Sequence, residues 1–299
     1  MIQHVQYVRS CLQQAQHRGL DRLDAQLLLL HCLGKPGTDR AWLMAHDDAA
    51  VAAKAAAQFL QYVNRRTQGE PLAYLTGHKE FFGLDLQVDA RVLVPRPDTE
   101  TLVEWAIEIA STNPRGPGST SPAPLRIADL GTGSGAIALA LKHALPAAQV
   151  WATDFSLSAL EVAVANARRL NLAVQFAHGS WLEALLPENQ KKQKNEQKMG
   201  FDLIVSNPPY IAQGDAHLPA LVHEPISALT SGADGLDAIR HIVVQAPTQL
   251  KPSGWLLLEH GYDQADRVAE LLTAAGFTNV GSRRDLGAHL RCTGGQRAI

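Results

Sequence analysis

Residues 201–210 read FDLIVSNPPY. The apolar run Leu203-Ile204-Val205 has the character of a buried strand. The two prolines end it, because neither has an N–H to give to a sheet. The corner that follows offers two hydrogen-bond acceptors, the side-chain carbonyl of Asn207 and the backbone carbonyl of Pro208. A residue before proline is held extended, so Pro209 fixes where Pro208 points. Two fixed acceptors suit a planar NH2 group, one for each N–H, and Tyr210 can stand as an aromatic wall beside it. Asn207, Pro208, Pro209 and Tyr210 are therefore the candidate substrate-binding corner, with Asn207 and Pro208 the candidate catalytic pair. A merely rigid loop after a strand would use the same residue types, so the tetrapeptide alone leaves both readings open.

The second candidate is IADLGTGSGAIALAL, residues 127–141. A strand ends at Asp129-Leu130, the loop Gly131-Thr132-Gly133-Ser134-Gly135 follows, and then a helix begins. Glycines at such a turn let the backbone approach a ligand and take positive φ. The spacing is GxGxG. The dinucleotide fingerprint places its third glycine one residue later, where this chain has Ala136. No GK[ST] follows, so it is not a phosphate-binding P-loop either. The next strand, VWATD, ends in Asp154, whose carboxylate can accept hydrogen bonds from both hydroxyls of a ribose. In open α/β sheets, ligands bind beyond the carboxyl ends of the strands. The glycine loop, Asp154 and Asn207 all fall at such ends.

The elements that must position these residues follow from hydrophobic patterning. Residues 1–70 are helical in pattern, with Leu23, Leu27, Leu28 and Leu30 on or near one face and Gly34 and Gly69 as helix ends. Residues 71–97 contain EFFGLDLQVDARVLVP, whose alternation predicts a hairpin connector. Pro97 opens a helix in which Asp98, Glu100 and Glu104 favour the positive end. From about residue 98 to the C-terminus strands and helices alternate, which predicts a parallel sheet with helices on both faces. The fold class is therefore α/β with a small N-terminal helical bundle. Two segments interrupt it: the Pro/Gly/Ser loop 111–124 and the lysine-bearing stretch 187–200, read as a solvated loop.

Composition bounds the function. The chain has 299 residues and a net charge of -2, so no global basic field draws it to nucleic acid. Cys11, Cys32 and Cys292 form no CxxC and read as reduced thiols, and the histidines show no metal-ligand spacing. No signal peptide and no membrane span are expected, which predicts a cytoplasmic protein; a monomer is expected as well.

The order of glycine loop, acidic strand end and Asn-Pro-Pro-Tyr resembles the Rossmann-like methyltransferases that use S-adenosylmethionine. The resemblance implies that Gly131, Thr132, Gly133, Ser134 and Gly135 border the methionine part of the cofactor. It likewise implies that Asp154 binds the ribose, Trp181 flanks the adenine, and Asn207 sits at the cofactor as well as the substrate. Related proteins often carry Asp where this chain has Ser180. Enzymes with this corner methylate amino groups of bases or the amide of glutamine.

The wider pattern resembles one family, the peptide chain release factor N(5)-glutamine methyltransferases. It is carried by RLDAQLLL, GEPLAYLTG, VLVPRPDTETLVE, DLGTGSGAIAL, SNPPYIAQGDAHL, HEPISALTSGADGLDAIR and LLLEHG. The family's usual PRPETE is PRPDTE here. The resemblance implies that the glutamine of the Gly-Gly-Gln loop of class-1 release factors enters the pocket, that the N-terminal domain helps hold the factor, and that HEPISALTSGADGLD covers the pocket. The alternatives are a ribosomal-protein glutamine methyltransferase, a nucleic-acid amino-methyltransferase, and a scaffold without catalysis. For the nucleic-acid enzyme no extra recognition domain is visible, and direct nucleic-acid binding is not expected. The chain carries its own Gly294-Gly295-Gln296, expected in a turn from the last strand into the tail.

Overall fold

A computed structural model describes residues 5–112, 124–186 and 200–299, so most of the two expected loops lies outside the described residues. The chain forms two compact units, Met1–His78 and Lys79–Ile299.

The first unit contains β1 (Gln6–Tyr7), α1 (Val8–His17), α2 (Arg22–Cys32), α3 (Arg40–Ala45), β2 (Ala50–Val51), α4 (Ala53–Thr67) and α5 (Leu72–Thr76). Its core is built from Val8, Cys11, Leu28, Leu29, Leu43, Phe59 and Val63. Asp21 caps α2 by accepting from the Leu23 N–H at 2.8 Å. Leu23 itself is 45% exposed, against the sequence expectation, because it sits in the first turn at the open end of the helix. Gly34 and Gly69 follow the ends of α2 and α4 with φ of 66° and 93°, as helix-ending glycines do. The sequence showed no strand here, yet β1 and β2 pair antiparallel, Gln6 with Val51.

The second unit, from Lys79, takes in all but the first residue of the hairpin β3 (His78–Phe81) and β4 (Leu84–Gln87), then α6 (Glu100–Thr112), β5 (Arg126–Leu130), α7 (Ala136–Ala144), β6 (Gln149–Asp154), α8 (Leu157–Arg169), β7 (Gln175–His178) and β8 (Phe201–Ser206). It closes with α9 (Asp237–Gln249), β9 (Leu250–Glu259), α10 (Ala265–Ala274), β10 (Phe277–Arg284) and β11 (Leu290–Arg297). The sheet order is β10-β11-β9-β8-β5-β6-β7. The five strands from β9 to β7 are parallel neighbours, whereas β11 runs antiparallel to β9 and β10 antiparallel to β11. The sheet is thus mixed rather than all parallel, a common way to finish a doubly wound sheet.

The central strands read as nearly continuous apolar runs because both faces are covered. Leu203, Val205 and Leu257 pack with Leu102, Ile109, Ile137 and Leu141 on one face. Ile204, Leu256 and Leu258 alternate to the other, against Ile239, Val243, Val268 and Leu272. The hairpin belongs to this second body, since Phe81, Leu84 and Leu86 join the first of those layers. Among the described residues, no helix is long and apolar enough to cross a membrane.

The internal Gly-Gly-Gln is not in a turn into the tail. Gly294, Gly295 and Gln296 are ladder positions of β11, paired with Leu257, Leu256 and Trp255. The glycine at 294 answers a packing demand: a Cβ there would meet Leu257 Cδ2 at 2.3 Å and the Trp105 ring at 3.0 Å. The Gln296 amide nitrogen donates to the Ser253 carbonyl at 3.0 Å, and its carbonyl accepts from Asn279 at 2.8 Å.

Candidate active site

The carboxyl ends of β5, β6 and β8 open onto one cavity of about 580 Å³, within the usual range for small-molecule sites. Gly131, Gly133, Asp154, Trp181, Asn207 and Pro209 all line it. The structure therefore brings together the loop, the acidic strand end and the proline corner. Thr132, Ser134, Gly135, Pro208 and Tyr210 are not in its wall.

The glycine loop is bent by its glycines: Gly131, Gly133 and Gly135 have φ of 71°, 56° and 86°. The Gly131 and Thr132 N–H groups both donate to the Thr153 carbonyl at 2.9 Å, which anchors the loop to β6. Thr132 and Ser134 are buried beneath the loop. The Thr132 hydroxyl donates to Asp129 Oδ2 at 2.6 Å, and the Ser134 carbonyl accepts from Asn166 at 3.0 Å. They brace the turn from behind.

Asp154 is held by two backbone N–H groups, Gly133 to Oδ2 at 2.9 Å and Ser156 to Oδ1 at 2.8 Å. Burial raises its pKa, and these N–H groups offset part of that rise. The sequence reading passed over two neighbours. Asp129 is wholly buried at the end of β5, and its Oδ1 has no hydrogen-bond partner. Burial pushes its carboxyl up to about 7, against the pull of the Thr132 hydroxyl and the Ala138 N–H. Phe155 lines the cavity with its side chain 79% exposed, and its ring lies 6.4 Å from that of His178. Both follow a visible signal, the strand ends already in hand.

Trp181 reaches the glycine loop. Its φ is 43°, and a Cβ on Gly131 would meet its ring at 3.2 Å. Ser180 and Gly179 line the cavity beside it.

At the corner, Asn207 Nδ2 donates to the Thr99 hydroxyl at 3.2 Å. Pro208 is buried. Tyr210 turns its hydroxyl to Glu259 Oε1 at 3.4 Å, and its own carbonyl accepts from Gln264 Nε2 at 3.0 Å. Its ring is thus tied to the end of β9. Burial, with the Glu259 charge added, raises the phenol pKa.

Ala90–Leu93, Pro225, Ser227 and Ala228 also line the cavity. Glu224 fastens these two segments together. It is 7% exposed, accepts the Val94 N–H at 3.1 Å and pairs with the Arg96 guanidinium. The HEPIS segment is thereby a wall of the cavity, clasped to the residues before α6.

The chain matches the family described as "PrmC N-terminal domain" over residues 3–77 and "Methyltransferase small domain" over residues 120–233. It is 47% identical over 281 residues to the release factor glutamine methyltransferase of Xylella fastidiosa strain Temecula1, covering 93% of this chain and 94% of that one. The protein of the same name from Bordetella pertussis is 46% identical over 279 residues, covering 93% and 95%. Among solved structures, a methyltransferase from Pyrococcus furiosus aligns with a TM-score of 0.50 at 19% identity, covering 79% of this chain and 99% of its own. That likeness speaks for the fold alone.

Proposed function

We infer the activity from kinship: this chain belongs to the family of release factor glutamine methyltransferases. It transfers a methyl group from S-adenosyl-L-methionine to the side-chain amide nitrogen of a glutamine in a peptide chain release factor. The target is the glutamine of the Gly-Gly-Gln motif of class-1 factors, and the reaction takes place in the cytoplasm. The structural observation that supports this reading is the shared cavity. Asn207 and Pro209 line the same space as Gly131, Gly133 and Asp154, so an amide and a ribose-bearing cofactor can meet end to end.

The residues present fit the cofactor. The loop glycines keep the cavity wall free of side chains at two positions. Asp154 binds two N–H groups and keeps lone pairs for ribose hydroxyls. Phe155 and Trp181 offer aromatic surface for adenine. When bound, the cofactor supplies an electrophilic methyl group on sulfonium sulfur.

The chain's own part is orientation. An amide nitrogen is a poor nucleophile because its lone pair is delocalised into the carbonyl. Asn207 Oδ1 accepts one of its N–H bonds from the cavity wall, and the carbonyl of Pro208, a residue outside that wall, is the second acceptor proposed; together they aim the nitrogen at the methyl group and stabilise the positive charge that develops on it. Pro209 holds that geometry, and the helical unit helps hold the factor.

The test is methyl transfer from labelled cofactor onto purified release factor, ribosomal protein and DNA side by side. Label should appear on the release factor, at the glutamine of its Gly-Gly-Gln motif. Preferential labelling of the ribosomal protein or of DNA would overturn the assignment.

A further inference from the structure

Three residues far apart in sequence meet behind the corner: Thr99, Asn207 and Glu259. Thr99 closes the short turn Pro97–Thr99 before α6 and is 4% exposed. Glu259 ends β9 and is 1% exposed. Its Oε1 accepts from Tyr210, while its Oε2 makes no hydrogen bond. The Thr99 hydroxyl is close enough to this carboxylate to favour its charged form.

A threonine hydroxyl has one proton and two lone pairs. Here it accepts from Asn207 Nδ2, so its own proton is free to face the carboxylate. An asparagine amide presents either its oxygen or its nitrogen to a ligand, and its partners decide which. With Nδ2 engaged by Thr99, Oδ1 is the group offered to the cavity that Asn207 lines.

We propose that Thr99 is a positioning residue, directed by Glu259, that sets the Asn207 side-chain amide so that its oxygen, not its nitrogen, meets the target NH2 group. This rests on the glutamine-methylating reading. It adds the reason why the corner takes a hydrogen-bond donor as substrate. A flipped Asn207 would present its own NH2 to the target NH2, two donors facing each other.

The direction of the chain depends on Glu259 being ionised. Once protonated, the carboxyl can donate to Thr99, whose proton is then free to pull the Asn207 amide round. Burial raises the Glu259 pKa to about 7, with the Asp98 charge adding to the rise, while Thr99, Arg291 and Tyr210 act against it. The charged and titratable groups around it are Asp98 from the turn before α6, Tyr210 from the corner, and Arg291 and Cys292 from β11. Arg291 is itself paired with Asp98 at 3.3 Å and with Asp285 at 3.1 Å. Activity should therefore fall on the acid side of neutrality.

The test compares wild type, Thr99→Val, Thr99→Ser and Glu259→Gln. In steady-state methylation of release factor, Thr99→Val should lower kcat by roughly 10- to 100-fold, the scale of a misaligned reacting group, with cofactor affinity by calorimetry little changed. Thr99→Ser should restore kcat, and Glu259→Gln should remove the acid limb of the kcat profile between about pH 6 and about pH 9. Wild-type kcat in Thr99→Val, no rescue by serine, or an unmoved acid limb in Glu259→Gln would each overturn the proposal. A second readout needs no substrate. In the cofactor-bound protein the side-chain NH2 of Asn207 should exchange slowly with solvent by NMR, and faster in Thr99→Val; equal rates would also overturn it. Wild type that labels no release factor, yet shows the slow Asn207 exchange, would count against the substrate assignment and not against the positioning role.

Discussion

Replacing Asn207 by alanine removes one acceptor from the corner but none of the hydrogen bonds around Asp154. Methyl transfer should fall by about 100- to 1,000-fold or more, as when one preorganised group facing the reacting atoms is lost. Cofactor affinity should be nearly unchanged; loss of both together would undo the role given to Asn207. Asp154→Ala should show the reverse emphasis, with cofactor binding weaker by about 1.5–3 kcal/mol, the range for charge-assisted hydrogen bonds. Unchanged affinity in calorimetry would remove the ribose assignment. Glu259 also leaves a mark on stability. Its folded pKa is raised to about 7, against about 4.3 for an unperturbed glutamate. The folded state then binds more protons than the unfolded state between those values. This group's stabilising contribution is full below the lower value and is lost as pH rises through the upper one. Glu259→Gln should gain melting temperature relative to wild type at pH 8 compared with pH 4, and an equal difference at both would contradict the buried, raised carboxyl. Asn207 and Asp154 were legible because their chemistry lies in a local pattern. Thr99 and Glu259 were not: both stand in stretches that were read, VLVPRPDTETLVE and LLLEHG, but the roles proposed for them exist only where residues 99, 207 and 259 converge.

At the scale of elements, the cavity wall depends on a clasp. Glu224 joins the HEPIS segment to the irregular stretch before α6 through the Val94 N–H and Arg96. Glu224→Ala would leave that buried N–H without an acceptor, a loss of about 1–3 kcal/mol. The Arg96 side chain is 39% exposed, so water can solvate it and the broken ion pair adds little. Cofactor affinity should fall with the loosened wall, and a variant with wild-type stability and affinity would deny the clasp. The sequence suggested that HEPIS covers the pocket, yet it could not name the fastening, since Glu224 and Arg96 lie on segments with no shared periodicity. The alternation from β5 to α10 was readable for a plain reason: buried parallel strands are apolar throughout, and the helices between them are amphipathic. β10 and β11 broke that signal. β10 lies at the sheet edge and is exposed along most of its length, so it carries polar residues. β11 carries glycines because Trp105 and Phe277 occupy the space where side chains would stand.

The whole molecule divides its work between two bodies, each with a core of its own. Bodies with separate cores can fold separately. Every residue assigned to the cofactor or to the methylated amide lies in Lys79–Ile299, while the helical body supplies none of them. The same geometry bears on the chain's own Gly-Gly-Gln. In β11 its backbone is committed to the ladder with β9, and the Gln296 amide is bonded to Ser253 and Asn279. Reaching any active site would require pulling a strand out of the sheet, so incubation with cofactor alone should add no methyl group to the intact mass. Deleting residues 1–78 is the complementary experiment. The remaining body should bind S-adenosyl-L-methionine with affinity close to that of the full chain, because its loop, Asp154 and their supports are all retained. Methylation of the intact release factor should suffer chiefly through KM, since the helical unit is proposed to hold the factor and not to touch the amide. A fall in kcat with unchanged KM would instead mean that the helical body shapes the corner itself.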